Sequence, residues 1–164
     1  SRYNHCWGWA SWRRCWHCYD SALKDWPTLR DSGLLGTIFE DPVERRYWVS
    51  IWQRLLETGK PDTWDYQWTF TCLANSGLTA LPNQNLVSNV GFGKDATHTL
   101  RKENPTYAPE KGMGKLNHPS FIIRECQADR FFVHKNLVSR RRLLASHLKT
   151  LLKTYLTFTK ISWN

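Results

Sequence analysis

The sequence predicts a fold that mixes helices with short strands. Helical periodicity occurs in three segments before residue 76, and the second of these carries capping residues at both ends. Two short apolar runs, 78–81 and 86–90, are then predicted as strands on either side of a Pro82-Asn83 turn. Hydrophobic residues make up 41% of the 164 residues, which is enough apolar surface for a packed core.

The first predicted helix begins at Trp12, where Ser11 is placed to cap its N-terminus. Four apolar residues recur at i, i+3, i+4 and i+7 and would share one helical face: Trp12, Cys15, Trp16 and Tyr19. Pro27 ends or redirects this helix. Before it, Gly8 lies between two tryptophans, which indicates a loop that needs a close backbone approach.

The second predicted helix has defined ends. Asp41 is a candidate N-cap, Pro42 occupies the first helical position and Glu44 the third, a pattern close to a capping box. Gly59 is the natural C-terminal stop. The apolar stripe of this helix consists of Val43, Tyr47, Ile51 and Leu55.

A third helix is predicted from about Thr63 to Asn75. Asp65 would lie in its first turn, where the helix dipole favours a carboxylate. Trp64 and Tyr66 flank Asp65, so its carboxylate could face a pocket and serve as a general base. The residues alone also allow Asp65 to be no more than a partner of the helix dipole.

After the two short strands, Gly91 opens a long loop that reaches about Asn117. Long loops in compact domains are often functional. The backbone amides of this loop, with Lys94, Thr97 and His98, could hold a diphosphate group, although plain glycine-rich loops have the same composition. A third strand at 121–123 and a short helical segment at 128–134 are predicted to follow.

Much of the net charge of +9 belongs to the end of the chain, where no Asp or Glu follows Asp129. From Asn136 to about Phe158 the sequence predicts a basic helix with a leucine stripe. We therefore expect residues 1–134 to belong to one domain and residues 135–164 to form a basic amphipathic tail or linker. Such a tail would make peripheral contact with an anionic membrane or a partner helix; a helix packed on the body, or a linker to a further domain, is the alternative.

The five cysteines are odd in number and lack the spacing of a disulfide framework, so we expect a reducing, cytoplasmic setting. Cys15 and Cys18 have the spacing of a metal-binding pair, but ordinary helix cysteines have it too. Cys72 falls in an apolar helix and is expected to be an inert buried thiol.

Three segments occur in a recognisable order: HCWGWASWRR at 5–14, WDYQWTF at 64–70 and NLVSNVGFGKDATHT at 85–99. Together they resemble the C-terminal half of a group of bacterial nucleotide-diphospho-sugar transferases, some of which are labelled hemolytic protein HlpA-like. A more distant similarity connects them to N-acetylglucosaminyltransferase I. The resemblance covers about residues 1–134 and implies a partial GT-A fold, which is a Rossmann-like α/β sandwich.

The resemblance also implies an activity. A hexosyl or N-acetylhexosaminyl group would pass from a nucleotide-sugar donor to the hydroxyl of a glycan or other acceptor, with inversion at the sugar carbon. Asp65 stands at the position of the catalytic base. The residues that the resemblance assigns to substrate binding are Trp7, Gly8, Trp9, Trp64, Asn89, Gly91, Gly93, Lys94, Thr97 and His98.

Enzymes of this kind use a divalent metal, Mn²⁺ or Mg²⁺, held mainly by an Asp-x-Asp motif. No two aspartates in this sequence have that spacing, and no metal ligand is assigned within it. We expect the motif to precede Ser1 in the full-length enzyme, so that these 164 residues alone would transfer little or no sugar.

The second hypothesis is a non-catalytic module that binds a polyanion or a membrane. A nucleic-acid binder would interleave cations with exposed aromatic residues, whereas here the tryptophans cluster before residue 70 and the cations concentrate after Asp129. The expected partners are therefore a nucleotide-sugar donor and a hydroxyl acceptor, with no nucleic acid.

Overall fold

In a computed structural model, the chain is described over residues 1–88 and 111–137, and its regular structure there is helical. The helices are α1 (Arg13–Trp16), α2 (Trp26–Asp31), α3 (Leu35–Ile38), α4 (Pro42–Thr58), α5 (Asp65–Ala74) and α6 (Cys126–Phe132), and a π-helical segment (Val133–Leu137) continues α6. The described ranges contain no β-strand. The predicted α/β class is therefore wrong for this part of the chain, and so is the Rossmann-like GT-A sandwich.

Within the described residues, the runs predicted as strands have no strand partners. Thr79 exchanges two backbone hydrogen bonds with Ser1, of 2.8 and 3.1 Å, but the described residues extend this pairing no further. Residues 86–88 are irregular, and residues 121–123 are irregular and exposed. Because a strand needs neighbours that satisfy its backbone groups, apolar runs of this length do not form one alone.

The long helix α4 begins and ends where its capping residues predict. The carboxylate of Asp41 accepts a hydrogen bond from the Val43 amide at 2.7 Å. At the other end Gly59 adopts a left-handed φ of 63° and donates to the carbonyl of Leu55 at 2.8 Å. Glu44 takes no part in the cap; its side chain is buried.

The first helical region differs from its prediction. α1 ends at Trp16, and no side chain caps its N-terminus, so Ser11 is not the N-cap. Pro27 does not end a helix either: it lies in the first turn of α2, where its missing N–H costs no hydrogen bond. The third predicted helix is confirmed as α5, and the helical segment near residue 130 is confirmed as α6.

Residues 138–164, and with them the predicted basic helix, lie outside the described residues. The same holds for residues 89–110, which contain most of the predicted diphosphate loop. None of the described helices is both long enough and apolar enough to cross a lipid bilayer.

An aromatic core joins α2, α4 and α5. The ring of Trp52 lies 5.3 Å from the rings of both Trp26 and Phe70. The buried indole of Trp26 donates to Gln53 at 3.1 Å, and that of Trp52 donates to the Tyr66 carbonyl at 3.0 Å. Burial of each of these two indole rings therefore stabilises the fold by roughly 1.5–3 kcal/mol. Neither ring leaves a buried N–H without a hydrogen-bond acceptor.

A buried charge network connects the N-terminal segment to α4 and α6. The guanidinium of Arg2 pairs with the carboxylate of Glu44, which also accepts a hydrogen bond from the Tyr3 hydroxyl. Burial and this hydrogen bond raise the pKa of Tyr3. The Arg2 amide and the Arg124 side chain both donate to one oxygen of Asp129, at 3.2 and 2.8 Å. Losing one partner would leave a buried charge unpaired, which is costly.

We expect Asp129→Asn to destabilise the fold in a pH-dependent way. Burial by itself would raise the pKa of Asp129, but hydrogen bonds from Arg124, Ser1 and the Arg2 amide outweigh burial and hold that pKa below 3.8. A carboxyl group with a lowered folded-state pKa stabilises the fold above its unfolded-state pKa, and this stability is lost as the pH falls through the folded-state value. The loss at pH 7 should be about 1–3 kcal/mol, and it should shrink below pH ~4.

Thermal melting of both proteins between pH 7 and pH 2 measures this difference. Asp31→Asn is the control, because Asp31 is exposed and its 2.7 Å pair with Arg30 is screened by solvent. Its melting temperature should stay close to that of the parent. Identical melting of D129N and the parent at pH 7 would contradict a stabilising role for the network.

Candidate functional site

Five aromatic side chains gather where the N-terminal segment passes α1 and α5. We call them the aromatic cluster: Trp9, Trp16, Tyr19, Trp64 and Trp68. Trp9 stacks on Trp64, with ring centroids 5.0 Å apart and planes 23° apart. Trp16 stacks on Tyr19 at 4.6 Å and 7°. Trp68 is buried and joins the two stacks, 5.6 Å from Trp9 and 5.1 Å from Trp16.

The loop before Trp9 depends on Gly8. Its φ of 59° is in the left-handed region, which favours glycine. A Cβ atom at this position would lie 2.6 Å from Cγ2 of Val87, far inside van der Waals contact. The close backbone approach predicted from the sequence is thus confirmed, with the side chain of Val87 against the backbone of Gly8. The next residue but one in the chain from Trp7, Trp9, then stacks on Trp64.

Asp65 is the first residue of α5 and follows Trp64 of the aromatic cluster. The Thr63 hydroxyl donates to its Oδ1 atom. No hydrogen bond from the described residues occupies its Oδ2 atom. A helix N-terminus and a hydroxyl donor both favour a carboxylate at this point, and among the described residues its second oxygen has no hydrogen-bond donor.

The charge of Asp65 helps to raise the pKa values of two side chains, Cys6 and Tyr19. Burial raises the pKa of the Cys6 thiol, and the charge of Asp65 raises it further. Burial also raises the pKa of Tyr19, with smaller contributions from the charges of Asp20 and Asp65. The charge of Asp65 therefore acts both on the segment before Gly8 and on the aromatic cluster.

The structure brings together part of the predicted site. Trp9, Trp64 and Asp65 are neighbours, Gly8 shapes the loop that holds Trp9, and Trp7 is exposed on the same loop. The remaining predicted substrate-binding residues lie outside the described part of the chain: Asn89, Gly91, Gly93, Lys94, Thr97 and His98. A diphosphate site there stays a prediction.

The sequence-based site omitted Trp16, Tyr19 and Trp68. A signal existed for Trp68, which is four residues after Trp64 and so lies on the same face of α5. Trp16 and Tyr19 were predicted to share a helical face, but α1 ends at Trp16. Their stacking arises in the turn that follows, and helical periodicity does not describe a turn.

A separate cleft of about 320 Å³ lies between the start of α4 and α6, away from the aromatic cluster. Its lining consists of Arg2, Glu40, Asp41, Glu44, Arg124, Arg130, Val133 and His134. Polar groups are already paired there: Arg130 with Glu40 at 2.8 Å, while the imidazole of His134 lies 3.5 Å from the carboxylate of Asp41. A charged ligand would have to compete with these pairs, and no residue of the predicted site lines the cleft.

The described residues do not supply a metal centre. Across residues 1–88 and 111–137, no three His, Cys, Asp or Glu side chains are grouped so that they could hold a metal ion. The divalent metal implied by the resemblance therefore has no ligand set in these ranges. Cys72 is partly buried: burial, with a smaller effect of Cys15, raises the pKa of Cys72 to about 11.

Comparison with known proteins finds no family model, no curated protein and no solved structure that matches the chain.

We expect Gly8→Ala to destabilise the protein more than Gly33→Ala. Both glycines have positive φ, 59° and 79°, so both substitutions carry a backbone cost of about 1–2 kcal/mol. Only at Gly8 does the new methyl group also meet another side chain, since nothing lies within 4 Å of a Cβ at Gly33. Overpacking of this kind costs a further 1–3 kcal/mol, roughly.

Urea unfolding of the two variants measures both free energies. Adding Val87→Ala to Gly8→Ala removes the clash and should lower the cost toward that of Gly33→Ala. Equal destabilisation by G8A and G33A would show that the contact between the Gly8 loop and Val87 is absent in solution.

We expect Cys72 to react slowly with iodoacetamide at neutral pH, because the thiolate is the reactive form and a thiol with a pKa of about 11 is protonated there. Between pH 7 and pH 9 its rate should rise about tenfold per pH unit. Mass-spectrometric mapping of labelled peptides measures the rate, and the exposed Cys18 is the internal control. Labelling of Cys72 as fast as Cys18 at pH 7 would refute the expected inert thiol.

Proposed function

We propose that the chain is the acceptor-side part of a glycosyltransferase, in which Asp65 is the general base for an attacking hydroxyl. One observation carries the proposal: the carboxylate of Asp65, held by the Thr63 hydroxyl, directly follows Trp64 of the aromatic cluster, and its charge acts on Tyr19 of the same cluster. Ligand sites commonly combine an apolar aromatic lining with a few placed polar groups. The resemblance of residues 5–14, 64–70 and 85–99 to sugar transferases supports the same class, and the proposal does not depend on a Rossmann-like sandwich.

The proposed reaction is a single displacement. The acceptor oxygen attacks C1 of a sugar nucleotide, and the new O–C1 bond forms as the bond from C1 to the diphosphate oxygen breaks. The nucleoside diphosphate leaves with that electron pair, and the configuration at C1 inverts. Asp65 takes the proton of the acceptor hydroxyl through Oδ2, for which the two heavy atoms must come within about 2.6–3.2 Å.

Other carboxylates of the described residues are less suited to this role. Asp20 already accepts a hydrogen bond from the Ala22 amide at 2.9 Å and another from the Lys24 amide. Asp41 caps α4. Asp62 is exposed and lies before the helix, so neither a helix terminus nor the aromatic cluster holds it in one position.

A second candidate function rests on α1. Trp12 and Trp16 are exposed there and alternate with Arg13 and Arg14, and the guanidinium of Arg14 lies 5.3 Å from the centre of the Trp12 ring. Proteins that bind polyanions place cations among exposed aromatic residues in this way. The distribution of charge along the whole sequence did not indicate such a site. Salt-sensitive binding to heparin or a single-stranded oligonucleotide, lost in Arg13→Ala/Arg14→Ala, would favour this candidate.

We expect Asp65→Asn to lower sugar transfer by about 10²–10⁴-fold, because the amide keeps the shape of the carboxylate but does not accept the proton. The enzyme to assay is the natural polypeptide that contains these 164 residues, supplied with UDP-, GDP- and dTDP-sugars. The melting temperature should fall little, since Thr63 can still donate to an amide oxygen.

Asp62→Asn is the matched control: it removes a carboxylate three residues away that is exposed, and transfer should stay within a few-fold of the parent. Transfer by D65N at a rate close to that of D62N would show that Asp65 is not the base.

A further inference from the structure

Cys15 and Cys18 share one turn at the C-terminal end of α1. The amide of Cys18 donates to the carbonyl of Cys15 at 3.1 Å. A hydrogen bond between residues three apart brings their α-carbons to within about 7 Å, and a disulfide spans about 4.4–6.8 Å between α-carbons. The turn therefore holds the two cysteines at a separation that a disulfide can bridge with little movement of the backbone.

Cys18 is the accessible thiol of this pair. Its side chain is exposed, and its Sγ atom lies 3.6 Å from the carbonyl oxygen of Arg14, a weak hydrogen bond that an incoming reagent can displace. Cys15 is half-buried. A disulfide from solution therefore reaches Cys18 first, and Cys15 is the adjacent thiol that can attack the product.

The other described thiols are less suited to this exchange. Burial raises the pKa of the Cys6 thiol, and it raises that of Cys72 to about 11. Because the thiolate is the attacking form, both thiols react slowly at neutral pH. Cys126 is exposed, but α6 contains no second cysteine. Cys126 therefore serves as a reference for an exposed thiol outside a Cys-x-x-Cys turn.

The charge around Cys18 suits an anionic reagent. Arg13 and Arg14 are exposed in the preceding turn, and α1 contains no carboxylate. The carboxylate of Asp20, two residues after Cys18, already accepts hydrogen bonds from two backbone amides. Glutathione disulfide carries a net negative charge at neutral pH, so the two guanidinium groups favour its approach.

We propose that Cys15 and Cys18 form a redox-active dithiol that exchanges with an anionic low-molecular-weight disulfide of the glutathione type. The Cys18 thiolate attacks one sulfur of glutathione disulfide, which forms a mixed disulfide and releases one glutathione thiolate. The Cys15 thiolate then attacks the Sγ atom of Cys18, and the second glutathione thiolate leaves. The protons of the two cysteines end on the two glutathione molecules, so the protein loses two electrons and glutathione disulfide gains them.

The disulfide closes around Trp16 of the aromatic cluster. Trp16 lies between the two cysteines in the chain, its ring stacks on Tyr19, and its carbonyl accepts the Tyr19 amide at 3.0 Å. A covalent link across this turn restricts the backbone that carries both rings. In a reducing compartment such a disulfide is transient, as in redox-sensing proteins. The inference does not depend on the proposed function.

Exchange of the reduced full chain with mixtures of glutathione and glutathione disulfide tests the proposal. After acid quenching and alkylation of the remaining thiols, mass-spectrometric peptide mapping locates each disulfide. The parent should contain a disulfide between Cys15 and Cys18. The fraction of Cys18 that carries glutathione should be at least about tenfold lower than in Cys15→Ser, in which no neighbouring thiol displaces it. Cys126 should keep its glutathione in both proteins.

Cys126→Ser is the matched control, because it removes an exposed cysteine outside the turn and should leave the new disulfide unchanged. Far-ultraviolet circular dichroism and thermal melting show whether each variant folds; if C15S does not fold, Cys15→Ala carries the comparison. A further measurement needs no variant. In guanidinium chloride the same pair should need a glutathione mixture about tenfold more oxidising, since the turn no longer holds the cysteines together.

Three results would overturn the proposal. The first is glutathione that stays on Cys18 of the parent to the same extent as on Cys126. The second is a disulfide that joins Cys15 to Cys72, the thiol whose pKa Cys15 helps to raise. The third is equal oxidation of the folded and unfolded chains, which would show that the turn does not favour the link. None of these measurements involves sugar transfer, so the proposed function and this inference can fail separately.

Discussion

The buried pair between Arg2 and Glu44 is the constraint on which the rest of the described structure depends. A guanidinium this deeply buried must keep a carboxylate partner, because an unpaired charge in the interior costs several kcal/mol, roughly. Glu44 in turn is held by the Tyr3 hydroxyl, and the Arg2 amide is held by Asp129. The N-terminal segment is thus fixed between α4 and α6 and is not a loose end.

The packing of the next residues follows from that position. Tyr3 stacks on Trp48 of α4 at 6.0 Å, and the Thr69 hydroxyl of α5 donates to Asn4 at 2.8 Å. The chain then turns at Gly8, against Val87, and presents Trp9 to Trp64. A charge network at one end of the segment therefore determines where the aromatic cluster forms at the other end, although no side chain of the network belongs to the site.

The site combines a rigid support with an open surface. Within the aromatic cluster Trp68 is buried, whereas Trp16 and Trp64 remain substantially exposed. The same group of rings is therefore part of the core on one side and part of the surface on the other. Leaving indole surface in water forfeits part of the burial that stabilises the fold, about 25 cal/mol for each Å². The proposed binding site would use this exposed aromatic surface. The charged cleft between α4 and α6 has the opposite character, because its groups are already paired with one another.

The sequence by itself determined the local features whose physics is local. Asp41, Pro42 and Gly59 bound α4 as their capping preferences require, and Asp65 lies in the first turn of α5, since each depends on a few neighbouring atoms. Gly8 indicated a close approach, but the partner in that approach, Val87, is distant in the chain. Tertiary structure alone decided the features that need distant partners. Glu44 has the position of a capping residue but pairs with a residue 42 places away in the chain, and among the described residues Thr79 pairs with Ser1 and joins no sheet. Trp9, Trp16 and Trp64 meet because the N-terminal segment, α1 and α5 pack together, and no periodicity within one element encodes a contact between elements.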